Sequence, residues 1–203
     1  MSHSLRRDLI DGALFELDGD SFQPAATQLL ERYDLSTERV NKGVPTGWGG
    51  PPEMVGADDE NGNRNRNGNE FETLSETEQR LVWRIWALGD LPVGLVVAGP
   101  VYQDNPILYA NRTFRRLTGY TLADVRGENL RLLQGPETDP GPVEDLREGL
   151  DIWTPVTVEL QNYRKDGTPF RNRVSLVPID DGSGTIANWI GIQAAVGDAT
   201  DSD

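Results

Sequence analysis

The stretch "TPVTVELQNYRKDGTPFRNRVSLVPI", residues 154–179, reads as two strands joined by a tight turn. Apolar side chains recur at alternate positions on both sides of "KDG", as strands with one buried face require. The glycine of that turn admits the backbone conformations a short hairpin needs. A third run, "TIANWIGIQAAV" at 185–196, follows a second turn sequence, "DDGSG". Upstream, "VGLVVAG" (93–99) leads through "QDNP" into "ILYAN" (107–111). Short helices are expected between these groups, around 111–118, 122–125, 129–133 and 142–150. A strand pair, then helices, then three antiparallel strands predicts an α+β domain. Its five-stranded antiparallel sheet would carry helices on one face.

The chain before this domain divides by texture. Residues 1–40 form a helical N-terminal flank, with Leu5, Leu9, Ile10 and Leu14 sharing one face and Ser21 placed to cap a second helix. Residues 41–70 are rich in Gly, Pro and Asn and lack periodicity, which predicts a flexible linker. Trp48 within it is either a docking point or a partly exposed side chain. Residues 71–90 hold an amphipathic helix in which Ser75 and Glu78 form a capping box and Gly89 the stop. Its Leu81, Val82, Trp83, Ile85, Trp86 and Leu88 wrap too far round for a one-sided surface helix. A second contact surface is therefore expected, with a homodimer partner the natural candidate. The domain itself is expected over 91–197, and 198–203 as a disordered tail.

Composition excludes several classes. The 33 acidic side chains outnumber 19 basic ones for a net charge of −14. Nucleic acid is disfavoured, because neutralising phosphates needs clustered cations, and anionic membrane surfaces are disfavoured for the same reason. An acidic surface with Arg in place of Lys suits a salt-rich, halophilic cytoplasm. No Cys is present, so disulfides, thiolate metal sites and thiol catalysis are excluded. The only His, His3, lies at the terminus, so a metal or general-base cluster built on histidine is not expected. The N-terminus lacks the apolar core of a signal peptide, and no apolar run approaches the about 18 residues of a membrane span. A soluble cytoplasmic protein is the expectation.

The last three strands share an oddity. Alternation places Asn162 beside Val158 and Leu160, Asn172 beside Val174 and Leu176, and Gln193 beside Trp189 and Gly191. Each otherwise apolar face thus carries one amide. A buried amide left unpaired costs about 1–3 kcal/mol, so these three need partners. Amides offer both donor and acceptor, which suits a heterocycle edge alternating C=O and N–H, such as the pyrimidine end of a flavin. Pairing with backbone or with one another accounts for them equally well. On the helical side, Arg131 and Arg147 are placed to clamp one phosphate, although surface arginines are common.

Residues 91–197 resemble a light-oxygen-voltage (LOV) domain, a flavin-binding branch of the PAS fold. The resemblance rests on "DNPILYAN", "LTGY", "GENLRLLQGPETD", "LREGL", "LQNYRKDGTPF" and "IGIQ", in family order and spacing over about half the chain. It implies bound FMN, with FAD an alternative. It would place Asn129 and Gln134 near the ribityl chain, and Arg131 and Arg147 on the phosphate. Asn162 and Asn172 would read the pyrimidine edge, and Gln193 would sit beside N5 and O4. Val96, Leu133, Val174 and Leu176 would line the ring, with Trp189 a further candidate. Asn105 belongs to the first matching segment and joins the cofactor-binding set.

The departure is Leu130. In the family this position holds the Cys whose sulfur bonds the flavin under blue light, and Leu has no nucleophile. The resemblance therefore implies a blue-light or redox sensor without adduct chemistry. It would signal by photoreduction to the neutral semiquinone, followed by a rearrangement of the Gln193 amide. Output would pass to the N-terminal flank, a homodimer interface or an unidentified downstream protein. The alternative is a cofactor-free PAS interaction module; a flavin enzyme is a more distant third, since no acid–base or nucleophilic residue is placed near the pocket.

Overall fold

Burial alternates along residues 156–163 and 169–174 and runs unbroken over 174–179 and 188–194. The expected sheet thus forms with its last strand buried on both faces. A computed structural model describes residues 2–11, 19–44, 47–54, 70–180 and 184–197. Five antiparallel strands lie in the order β2-β1-β5-β4-β3. They are β1 Gly94–Ala98, β2 Ile107–Ala110, β3 Val156–Tyr163, β4 Pro169–Asp180 and β5 Ile186–Ala195. The last strand thereby becomes the central one, with Val96 opposite Gly191 and Val174 opposite Gln193.

Among the described residues four α-helices precede the sheet: α1 Ser2–Asp11, α2 Gly19–Arg32, α3 Glu38–Asn41 and α4 Glu76–Ala87. Three lie between its halves: α5 Arg112–Thr118, α6 Leu122–Val125 and α7 Pro140–Asp151. Side chains at their starts fix them. The fully buried Asn111 side chain accepts from the N–H groups of Phe114 (2.8 Å) and Leu95 (3.0 Å) and donates to the Val93 carbonyl, so it caps α5 and ties it to β1. Thr121 and Asp124 close a capping box on α6. The Lys165 ammonium, donating to Asp124 at 2.6 Å, anchors that helix to the β3–β4 turn and holds the carboxyl down at about 2. Asp139 caps α7, with Pro140 in its first turn.

The sheet has helices on both sides. Its inner face meets α5 and α7, and its outer face meets α4. Leu95, Val97, Ile190 and Ile192 on the outer face form one core with Leu81 and Ile85 of α4 and with Leu5, Phe22 and Leu30 of the flank. The capping box expected at Ser75 and Glu78 opens α4.

The flank differs from its sequence reading in three respects. Helix α2 begins at Gly19, so Ser21 lies in its first turn and does not cap it. Residues 47–54, within the stretch read as a flexible linker, are packed. Trp48 stands 4.9 Å from the Phe71 ring and 5.6 Å from Trp86, centroid to centroid, and Met54 is buried. Gly50, at φ +111°, permits this, because a Cβ there would come within 2.7 Å of Phe71 Cβ. Finally, the apolar excess of α4, which pointed to a second subunit, is covered by the chain itself: Phe22 meets Trp83 edge-on at 5.2 Å. Leu14, residues 55–69 and the tail 198–203 lie outside the described residues.

Candidate functional site

A cavity of about 390 Å³ lies between the inner face of the sheet and the layer formed by α7 and the 3-10 turn Leu130–Leu133. That size falls within the range of small-molecule pockets. Its floor is Leu160 and Asn162 of β3, Val174 and Leu176 of β4, and Gln193 of β5. Leu130 and Leu133 from the turn, and Val143, Leu146 and Leu150 from α7, form the roof. Polar and charged residues gather where Asp104 and Asn105 of the β1–β2 loop approach Asn129, Arg131, Gln134 and Arg147.

Local chemistry sets the turn. Asn129 accepts from the Arg131 N–H at 2.9 Å and donates to the Asp104 carbonyl at 2.6 Å, which fixes one side chain between two loops. Leu130 then projects over the centre of the sheet. Its Cδ1 is 3.3 Å from where a Cβ on Gly191 would stand, so a side chain there would press on Leu130.

The three amides meet. Asn172 donates to Asn162 Oδ1 at 2.9 Å and to Gln193 Oε1 at 3.0 Å, across both neighbouring strands. All three are at most 3% exposed. Asn162 also donates to the Gln161 carbonyl at 3.3 Å. Asn172 Oδ1 and Asn105 Oδ1 are buried without a partner, a cost of about 1–3 kcal/mol each. Mutual pairing therefore satisfies the row only in part.

Arg131 is paired with Asp104, and Arg147 with Glu144. Both guanidiniums are more than half exposed, so each pair is worth about 0–1 kcal/mol and exchanges readily.

Of the residues named from sequence, three do not line the cavity. Val96 is fully buried beside Gly191 on the neighbouring strand, Asn172 is fully buried between the two amides it bonds, and Trp189 is buried in one cluster with Ala98 and Val158. Sequence reasoning missed the α7 roof, although Val143, Leu146 and Leu150 recur at helical spacing. It also missed Asp104, which occupies a left-handed conformation (φ 70°) that nothing local announces.

Among the described residues no group of three or more His, Asp or Glu could hold a metal ion. No helix among them is long and apolar enough to cross a membrane.

The family model of the PAS domain matches residues 92–194, which hold all of the sheet but its last residue, and its inner helices. The chain belongs to the PAS domain family. LOV domains stand among the neighbours of this PAS domain in both sequence and structure. The blue-light-activated histidine kinase of Brucella anthropi is 37% identical over 105 residues, 52% of this chain and 21% of the kinase. Rice (Oryza sativa subsp. japonica) phototropin-2 is 43% identical over 98 residues, 48% of this chain and 11% of that one. The solved LOV domain of a blue-light activated histidine kinase from Erythrobacter litoralis superposes with a TM-score of 0.50 at 38% identity, covering 53% of this chain and 99% of that one. The PAS domain thus spans a minor part of the curated relatives' length, from 11% to 21% in these two.

Proposed function

We propose that the cavity holds a flavin, FMN or alternatively FAD, and that the chain is a blue-light or redox sensor working without a thiol adduct. One observation carries this reading: a row of three buried amides on an otherwise apolar floor, with Asn172 Oδ1 left unpartnered. The donor set fits the group. Asn162 and Gln193 at the cavity floor offer the donors and acceptors that a pyrimidine edge needs, and Asn172, bonded to both, completes the row. Leu160, Val174 and Leu176 offer an apolar wall to a ring, and Arg131 and Arg147 a place for a phosphate. The neighbouring LOV photoreceptors support the same reading.

When bound, the flavin would supply an electron acceptor that blue light strengthens. The chain's own residues do the rest. Leu130 presents no nucleophile, so light cannot form a bond to the protein there. Gln193 can exchange donor for acceptor by turning its amide over, and Asn172, bonded to it, then follows. Ile192 and Ala194, next to Gln193 but facing outward, share a core with α4. That gives a route from the cavity to residues 1–90 as the output element, acting on a second copy or on an unidentified protein partner. The chain is a sensor rather than an enzyme on this reading, since the roof over the cavity is aliphatic.

An absorption spectrum of the purified chain, before and after addition of FMN, tests the proposal. A structured blue band supports it, and its absence after reconstitution removes it. Gln193→Leu should keep the band yet lose any light-induced change in Trp emission. Leu130→Cys should add a reversible bleaching of the band that the native chain lacks.

A second reading, a cofactor-free interaction module, is favoured by the hydrogen bonds that Asn172 makes to its two fellow amides. A colourless protein that FMN does not stabilise against heat would select it.

A further inference from the structure

We propose that Asp104 sets how strongly the cavity distinguishes a phosphorylated flavin from an unphosphorylated one, by competing with the ligand's phosphate for Arg131. The inference rests on the flavin reading above and goes beyond it to the choice of flavin. At the mouth of the cavity the cations Arg131 and Arg147 are matched by the carboxylates Asp104 and Asp151. Each guanidinium is already engaged, Arg131 by Asp104 and Arg147 by Glu144. The mouth is therefore close to neutral and does not form a free basic clamp.

Asp104 is held in place by its backbone. Its N–H donates to the Val101 carbonyl at 2.8 Å, the Asn105 N–H donates to the Pro100 carbonyl at 3.1 Å, and the Asn129 amide donates to the Asp104 carbonyl at 2.6 Å. Those bonds fix the Asp104 backbone beside the turn, so its exposed carboxylate stays anchored within reach of Arg131. An arriving phosphate must either displace it from Arg131 or share the guanidinium with a like charge. A guanidinium has donors enough to serve both, but the repulsion between the two anions remains. Asp104 consequently lowers what the phosphate adds to binding at Arg131.

Asp104→Asn isolates the charge. Asn tolerates the left-handed backbone at this position as well as Asp does, and its carbonyl can still accept from Arg131. The measurement is the dissociation constant of FMN and of riboflavin for the full chain and for this variant, by titration calorimetry. In the variant the ratio of FMN to riboflavin affinity is expected to rise about fivefold, the effect of removing one like charge about 4 Å away in an exposed setting. The rise should shrink at molar salt. Glu144→Gln, whose residue does not line the cavity, should raise the ratio less.

A ratio that stays constant overturns the proposal and leaves the flavin reading standing. A ratio that falls also overturns it, because Asp104 would then be orienting Arg131 toward the phosphate. Failure of both flavins to bind either protein removes the flavin reading, and the proposal with it.

Discussion

On the outer face of the sheet Leu95, Val97, Ile190 and Ile192 are each 0% exposed, pressed against α4 and the flank. The inner face gives up three buried positions to amides and, with α7, encloses about 390 Å³. The outer side is packed mainly with aliphatic and aromatic side chains, where hydrophobic stabilisation is greatest, although α4 also buries Arg84 and the unpaired indole N–H of Trp83. The inner side sets its three buried amides beside a cavity, so it contributes less apolar contact to stability. Two sides of the same strands thus divide the work: one holds the fold together and the other keeps a place for something else.

The largest effect that tests this division lies on the outer side. Trp83→Ala should lower the unfolding free energy by about 3–5 kcal/mol, measured by denaturant titration. Leu176→Ala, at the cavity wall, should cost near the low end for such a truncation, about 2 kcal/mol. Equal losses at the two sites would break the comparison.

A smaller change in stability, with a larger change in function, is expected at the amide row. Asn172→Leu removes one orphaned buried oxygen but leaves Asn162 Oδ1 and Gln193 Oε1 without their donor, so stability should fall by about 1–2 kcal/mol. Flavin binding, on the proposed reading, should be lost. A variant that kept flavin affinity would show that the row serves the fold alone.

The smallest effect concerns acid. Asp124 is held down to about 2 from 3.8, first by the hydrogen bond from Lys165 and then by Thr121. A carboxyl lowered by folding stabilises fully above its ordinary value and loses that contribution as pH falls from about 4 to about 2. Asp124→Asn should therefore flatten the acid limb of the stability profile in that window alone. Amide exchange should show α6 loosening there before α4, which is held by apolar contacts.

These sites also show what the sequence could tell. The box at Ser75 and Glu78, the Lys165–Gly167 turn and the placing of Asn162, Asn172 and Gln193 on one face were legible, because each depends on spacing within a few residues. The packing of Trp48 on Trp86 was not, since it joins residues 38 apart through a glycine whose backbone only the fold explains. Nor was the pairing of Asp104 with Arg131, which needs a left-handed residue in one loop to meet a turn 27 residues later. Val96, expected to line the ring, is instead fully buried beside Gly191, because reaching a cavity depends on the packing around a residue and not on its strand alone.

The aromatic cluster of the flank has a practical consequence. Trp48 and Trp86 lie 5.6 Å apart, with Arg39 over Trp86 and Phe22 against Trp83, so three of the five tryptophans sit where the flank meets α4. Their ultraviolet emission reports on that junction directly. Any displacement of the flank would expose these indoles to water and shift their emission to longer wavelength. The chain therefore carries its own optical gauge of whether residues 22–48 are docked, readable in dilute solution without a label.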